Sequence, residues 1–442
     1  MEHHEHFYTR HRPQTASKFT YIREMAKPRQ VQWHFRIELA NKACQHPHLG
    51  WPLTCRILGI HRLKPMNPTT ASPFMLKALN IASQAMRITS PNPRVGCVIV
   101  SSQGKILGQG HTQKAGESHA ERVALQDALN QGNSVEGATV YVTLEPCAHH
   151  GRTGPCCDAL IQAKVGKVVV AITDPNPLVA GKGLNRFKAA GIAVEVGDGA
   201  DLAEQQNPGF LSRMKRQKPW VRLKMAASLD GQTALLNGQS QWITGPEARA
   251  DGHAWRARAC AILTGIGTVL EDDPLLDLRL CTNLGAEPRI PHLVIVDSQL
   301  ETPPSARLFQ HSLPGAITPR QVWIYAAKDH LEKRAALEAL GAHITVLPNE
   351  QGKVDLPALM TDLAKREVNE LHVEAGHKLN GSLIREACVN ELLVYLAPKL
   401  LGIGQGMANW GPLEDLSQGL SLEFTETQLI GKDLRVLARV TA

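Results

Sequence analysis

The sequence predicts an α/β protein built as two layered units behind a basic N-terminal extension, and three observations lead there. From Pro73 onward, short β-rich runs alternate with stretches of helical periodicity, the pattern of layered, mainly parallel sheets. A polar, basic segment at 213–219 interrupts that alternation once, as a linker does. The 442 residues suffice for two or three domains of ordinary size. The expected division is an extension over 1–72, a first unit over 73–214 and a second over 219–442.

Residues 1–72 hold 11 Lys and Arg, four acidic residues and eight of the 19 His. The chain has 48 basic and 41 acidic side chains, so residues 73–442 carry 37 of each and the formal +7 sits entirely in the extension. Arg-rich, acid-poor segments can serve as targeting peptides or nucleic-acid arms. Few segments of this composition bury a core. The plainer expectation is a disordered appendage, or sequence upstream of a start at Met66 or Met75.

In the first unit, Leu76, Leu79, Ile81, Ala82 and Ala85 recur at helical spacing and predict a helix over 73–88. The run 95–100 can pair with 105–110 across Gly104 as a hairpin. A helix over 120–129, a strand over 139–143 and helix-plus-strand units near 156–172 and 182–196 follow. In the second unit, strands are expected at 220–227, 260–264, 293–297, 322–326, 343–347, 371–374, 391–397 and 434–440. Helices are expected at 246–258, 329–340, 355–366 and 378–387. No internal repeat relates the two units.

Composition narrows the function. Apolar content of 43% with 20% charged residues is ordinary for a soluble protein, and no run approaches the ~18 apolar residues of a membrane span. Nine cysteines in so long a chain, with no signal peptide, point to a reducing cytoplasm, where Cys packs, binds metal or reacts. A charge-neutral body, in a chain with only 5% aromatic residues, disfavours a nucleic-acid groove.

Three segments of the first unit carry chemistry together: H-A-E at 119–121, P-C at 146–147, and Cys156. A catalytic zinc takes three protein ligands and keeps a fourth position for water. His119, Cys147 and Cys156 supply the three. Glu121, two residues past the His, can reach that water without being a ligand and move its proton to a leaving amine. Zinc deaminases share the signature H-x-E…P-C-x-x-C, but here eight residues separate the cysteines, among them His149 and Arg152. Cys44, Cys55, Cys97, Cys157, Cys260, Cys281 and Cys388 read as packing or incidental, with Cys157 the one that could be confused with a ligand.

These residues resemble a known family. P-N-P-R-V-G at 91–96, H-A-E at 119–121, T-L-E-P-C-A-H-H-G-R-T at 143–153 and D-P-N-P-L-V-A-G at 174–181 look like the bifunctional deaminase/reductase of riboflavin biosynthesis. The resemblance implies a cytidine-deaminase-like α/β/α domain that deaminates a diaminopyrimidinone ribosylamine 5′-phosphate. It implies substrate contacts from Asn92, His149 and Arg152. One departure is Thr112, which stands where the family usually has a His seven residues before the zinc His; His111 lies one place earlier.

The second unit is less explicit on its own. G-I-G-T at 265–268 and V-E-A-G at 373–376 are Gly turns between a strand and a helix, suited to phosphate, and no full G-x-G-x-x-G fingerprint appears. The stretches K-M-A-A-S-L-D-G at 224–231, S-Q-W-I-T-G at 240–245, G-T-V-L-E-D-D-P at 267–274 and V-D-S at 296–298 resemble the family's reductase half. That implies a dihydrofolate-reductase-like α/β domain and NADPH-dependent reduction of the ribosyl group to ribityl. By position, Ala226, Trp242, Thr268, Asp272, Ser298 and the turn 376–382 (Gly376, His377, Lys378, Leu379, Asn380, Gly381 and Ser382) would line the cofactor site. Lys224, Ser240, Arg256, Leu276, Arg279 and Glu374 would face the substrate, and the two Arg suit its phosphate.

The expected protein is therefore a cytoplasmic two-step enzyme with one Zn2+ per chain and NADPH. Its partner is a phosphorylated pyrimidine, with no nucleic acid and no membrane; a homo-oligomer is left open. Two other readings are weaker. A polynucleotide deaminase with a C-terminal binding module would need a basic, aromatic-lined path. A structural zinc would close all four positions with Cys or His, and only three ligands are in view.

Overall fold

Ser72 sets the start of the first helix. Its hydroxyl accepts from the Met75 N–H at 3.3 Å and donates to Asp198 at 2.5 Å, while Pro73 fills the first helical position, where no N–H is needed. The computed structural model describes residues 71–148, 154–176, 180–278, 289–310 and 320–441. Helix α1 (Pro73–Ser83) buries Met75, Ala78, Leu79, Ile81 and Ala82. It stops short of the expected 88, because 84–88 continue only as turns.

The first sheet has the order β2-β1-β3-β4-β5. Strands β1 (Gly96–Val100) and β2 (Ile106–His111) form the expected antiparallel hairpin. Strand β3 (Thr139–Val142) runs antiparallel to β1 and parallel to β4 (Lys167–Val170), which is parallel to β5 (Ala193–Val196). This sheet is mixed rather than mainly parallel. Helices α2 (Ala120–Asn130), α3 (Cys156–Gln162), α4 (Lys182–Ala189), α5 (Ala200–Gln206) and α6 (Pro208–Arg216) surround it. One core gathers α1, β1, β3 and β4 around Ile99, Val140 and Val168.

The segment read as a linker is mostly helix. Helix α6 runs to Arg216, so only 217–219 lie outside regular structure. Nor is its charge simply solvated: Arg213 Nε donates to Asn369 Oδ1 at 2.6 Å, and Arg216 Nη2 to Ser212 Oγ at 2.7 Å. The helix tethers the two sheets.

The second sheet is built from β6 (Trp220–Ser228), β8 (Ala261–Gly265), β9 (His292–Val296), β10 (Val322–Ala326), β11 (Ala342–Val346), β12 (Glu370–Val373), β13 (Glu391–Ala397), β15 (Leu422–Ile430) and β16 (Asp433–Val440). A separate ribbon pairs β7 (Gln232–Leu235) with β14 (Gly404–Gly406). The large sheet has the order β11-β10-β9-β8-β12-β6-β13-β16-β15 and is parallel as far as β13. Helices α7 (Pro246–Arg258), α8 (Ile266–Asp272), α9 (Leu331–Glu338), α10 (Leu356–Lys365) and α11 (His377–Arg385) complete the layers. Strands such as β8 and β10 are buried along their whole length, which is why they read as continuous apolar runs. Strand β15 is not legible in that way. It is an edge strand whose Phe424 and Leu429 stay exposed, so its alternation marks no buried face.

Candidate active sites

The first site lies at the C-terminal ends of β3 and β4. His119 is the N-cap of α2, and Cys156 is the first residue of α3. Their helix starts turn His119 Nδ1, Cys147 Sγ and Cys156 Sγ toward one point, all within 4.8 Å of one another. The Nδ1–Sγ distances are 3.6 Å to Cys147 and 3.4 Å to Cys156. Bonds of about 2.3 Å to sulfur and about 2.1 Å to nitrogen at tetrahedral angles space such atoms about 3.6 Å apart, so the donor set and its spacing fit zinc. The Cys156 N–H donates to Cys147 Sγ at 3.3 Å, bringing the start of α3 onto a sulfur. A hydrogen bond from Cys156, together with His119, holds the Cys147 thiol well below its ordinary value.

Glu121 sits beside this cluster in the first turn of α2 and is 3% exposed. Burial pushes its carboxyl up, and the charge of Cys147 adds to the shift. Such a carboxyl is suited to picking up and returning a proton. Cys157, the neighbour open to confusion with the ligands, points away and donates to the Pro146 carbonyl at 3.0 Å; burial raises its thiol. It is a packing residue.

Glu145, within the T-L-E-P-C motif, has a role that the sequence alone does not show. It is buried, and its two oxygens accept from four backbone N–H groups: Asp174 at 3.2 Å, Gly181 at 3.0 Å, Gly183 at 3.0 Å and Leu184 at 3.3 Å. The T-L-E-P-C and D-P-N-P-L-V-A-G motifs are thereby joined into one unit behind Cys147. The signal was there in the sequence, an acid two residues before a ligand, but its partners lie 29–39 residues away.

Asn92 belongs to a tight turn. Its N–H donates to the Thr89 carbonyl at 2.8 Å, and Thr89 Oγ1 donates to its carbonyl at 3.0 Å. The turn feeds β1, whose first residue Gly96 meets Thr143 just past the end of β3, so Asn92 and Cys147 leave the sheet at the same end. His111 is tied locally, with Gln113 Nε2 3.2 Å from its Nδ1. His149 and Arg152 lie outside the described residues, as does Arg279 of the second site.

The second site lies at the C-terminal ends of β6, β8 and β12, where three of the expected substrate residues converge. Glu374 receives Arg256 through both oxygens, Nε to Oε1 and Nη2 to Oε2 at 2.8 Å, and Lys224 Nζ lies 3.8 Å away. Arg256 also donates to the Asp277 carbonyl at 3.0 Å. Its guanidinium is thus engaged by the Glu374 carboxylate, a partner that the sequence expectation did not include. Burial works against ionisation of Glu374, but Arg256, then Lys224 and His372, outweigh it and hold the carboxyl well below its ordinary range. Burial, with Arg256, lowers Lys224.

Lys224 and Ala226 lie on one face of β6, two residues apart. Thr268 in the first turn of α8 faces Gly376: a side chain added at Gly376 would come within 3.9 Å of Thr268 Oγ1. Asp272 lies one turn further along α8 and is exposed. Trp242 is 64% exposed under the Arg249 guanidinium, Ser240 is half-buried, and Ser298 accepts from Val354 N–H at 3.4 Å. The side chain of Leu276 is buried in the core with Val269, and its carbonyl accepts from Arg320 Nη2 at 2.6 Å.

The segment 376–382 is not a turn. Gly376 is the N-cap of α11, and His377, Lys378, Leu379, Asn380, Gly381 and Ser382 are helical. Helical periodicity sends them to different faces. Asn380 and Gly381 are buried, with Asn380 Nδ2 donating to the Met407 carbonyl at 2.9 Å, while Lys378 is exposed.

Fold and sites together define a zinc deaminase joined to a nicotinamide-dependent reductase. Residues 68–172 match the cytidine and deoxycytidylate deaminase zinc-binding region, and residues 219–436 match the RibD C-terminal domain. The riboflavin biosynthesis protein RibD of Escherichia coli is 44% identical over 371 residues, covering 82% of this chain and 97% of that one. The RibD of Haemophilus influenzae is 43% identical over 378 residues, covering 82% and 95%. Among solved structures, Acinetobacter baumannii RibD superposes with a TM-score of 0.74 at 39% identity, covering 83% of this chain and 98% of that one. A Thermotoga maritima diaminohydroxyphosphoribosylaminopyrimidine deaminase/5-amino-6-(5-phosphoribosylamino)uracil reductase gives 0.71 at 28% identity, covering 83% and 98%. The chain belongs to the RibD family of riboflavin biosynthesis proteins and is a bifunctional deaminase and reductase. Its first fold is cytidine-deaminase-like and its second is the dihydrofolate-reductase-like fold of the family. The His/Cys/Cys group fits Zn2+, and the reductase domain implies NADPH. Among the described residues, no helix is long and apolar enough to cross a membrane.

Proposed function

We propose that residues 73–214 deaminate 2,5-diamino-6-(5-phosphoribosylamino)pyrimidin-4-one and residues 219–442 then reduce its ribosyl side chain to ribityl, in the cytoplasm. The observation that carries the first step is the buried Glu121 beside three convergent ligand atoms. His119, Cys147 and Cys156 would hold the zinc, which when bound supplies a Lewis acid that makes water nucleophilic near neutral pH. Glu121 takes the water's proton on its carboxylate and returns it to the amino group, which leaves as ammonia while a carbonyl forms on the ring. Asn92, with His149 and Arg152, holds the pyrimidine and its phosphate.

For the second step, NADPH supplies the hydride. Thr268, Gly376 and the start of α11 present backbone N–H groups to its phosphates, with Ala226, Trp242, Asp272 and Ser298 along its length. Glu374 and Arg256 fix each other and orient the substrate chain, with Ser240, Leu276 and Arg279 beside them. Lys224, lowered by burial, is the group best suited to hand a proton to the opened sugar chain as the hydride arrives at carbon.

Glu121→Ala should retain one zinc per chain yet lose ammonia release by about 10²-fold or more, while oxidation of NADPH with pre-deaminated substrate continues. Normal ammonia release from that variant would remove Glu121 from the reaction.

A further inference from the structure

The turn that carries Asn92 is not held by the deaminase half alone. Asn92 closes the turn onto Thr89 and so fixes the turn's shape, but the orientation of the turn is set by its flanks. Within the deaminase half, Asn207 holds the Arg94 backbone at 2.8 and 2.9 Å, and the Gln206 carbonyl accepts from Arg94 Nη1 at 2.7 Å. The remaining grips come from the second sheet and Arg213. The Pro91 carbonyl accepts from Asn369 Nδ2 at 2.9 Å and from Arg213 Nη2 at 3.2 Å. Arg213 is itself aimed by Asn369 Oδ1 at 2.6 Å. On the other flank, the Arg94 guanidinium pairs with Glu370, which is almost wholly buried. Ser90 Oγ lies 2.8 Å from Cys260 Sγ.

Asn369 immediately precedes β12 and Glu370 is its first residue, so both are rigidly placed. Glu370 is further locked by Arg222 at 3.2 Å and Arg258 at 2.9 Å. The contacts on the Asn92 turn reach the Pro91 carbonyl and the Arg94 side chain, and the turn leads straight into β1 at the zinc end of the sheet. A displacement of these anchors would move Asn92 relative to Cys147 without touching the zinc ligands.

We infer that Asn369 and Glu370 of the reductase half are positioning residues for the deaminase reaction, holding the 91–94 turn so that Asn92 meets the pyrimidine. This rests on the reading of Asn92 as a substrate contact. It makes the reductase half part of the deaminase's binding site, beyond its own activity. A packing role alone would lower the yield of folded enzyme and its kcat in proportion. A positioning role raises the KM for deamination in molecules that are folded and carry zinc.

The test uses the full chain with zinc bound and follows ammonia release. Asn369→Ala removes the donor to Pro91, and Asn369→Asp sets an oxygen against the Pro91 carbonyl. Arg94→Lys keeps the charge but loses the guanidinium geometry. Loss of one such hydrogen bond is expected to raise the deamination KM about fivefold, with Asn369→Asp worse than Asn369→Ala. Zinc content, kcat and reduction of pre-deaminated substrate should stay within twofold of the parent. An unchanged KM in all three, or a fall in kcat with zinc content at constant KM, overturns the proposal. Asn92→Ala, run alongside, separates the two claims. If it leaves KM unchanged, the assignment of Asn92 fails, while the anchoring of the turn is still decided by the other three variants.

Discussion

Glu145 shows how a single side chain sets a site it never touches. Four N–H groups from the 174–184 segment end on its two oxygens, two of them at the start of α4, where an anion is also favoured by the helix dipole. Glu145→Gln keeps the shape but turns an N–H2 toward backbone N–H groups that can only donate. Leaving buried donors unpaired costs about 1–3 kcal/mol, so the thermal midpoint of the deaminase half should drop by several degrees, with weaker zinc retention on dialysis against a mild chelator. Unaltered zinc retention would reduce Glu145 to a local staple. At this scale the ligands His119, Cys147 and Cys156 were legible from spacing, because a catalytic zinc dictates residue types. The pairing of Arg256 with Glu374 was not, since their sequence separation of 118 carries no local signature.

Helix α11 illustrates the next scale. Gly381 sits inside it against the 407–409 segment, and an added side chain would come within 1.9 Å of the Asn409 carbonyl oxygen, a clash with backbone that no rotamer relieves. Gly381→Ala must push the helix or that segment outward, an overpacking cost of about 1–3 kcal/mol. The start of α11 moves with it, so the KM for NADPH should rise and the reductase half should unfold earlier, while ammonia release holds. Equal NADPH kinetics in parent and variant would show that the helix tolerates the shift. Helix α10 was readable because its periodicity records one buried face, and β10 because a strand buried on both faces leaves a continuous apolar run. Helix α6 was hidden by its charged last turn, whose Arg213 and Arg216 find partners only in the folded chain. Strand β15 was hidden because a two-sided exposed edge leaves no apolar stripe.

For the whole molecule, the charge that matters is the buried group between the two sheets rather than the formal +7. Burial works to raise the Glu370 carboxyl, but Arg258, Arg94 and Arg222 together outweigh it and hold it below its ordinary 4.5. A carboxylate depressed in the folded state stabilises fully above the unfolded value and loses that contribution as pH falls toward the folded one. Its acid loss therefore begins below about pH 4.5. His292 acts in a different window. Burial, then Arg289 and Arg320, lowers it to about 4, and its Nδ1 accepts from the Gln321 N–H at 3.2 Å, as a neutral ring must. The unfolded chain takes up that proton near pH 6.5 and the folded chain only near 4, so stability drains between those values. Thermal midpoints measured from pH 7.5 to 3.5 should therefore decline in two stages. His292→Gln should make the stage between 6.5 and 4 shallower, the buried His372 being lowered as well. Glu370→Gln, with a lower midpoint at every pH, should make the stage below about 4.5 shallower, Glu374 sharing that window. If Glu370→Gln keeps the parent's acid slope, the ion pairs joining the two sheets contribute nothing to holding the molecule together.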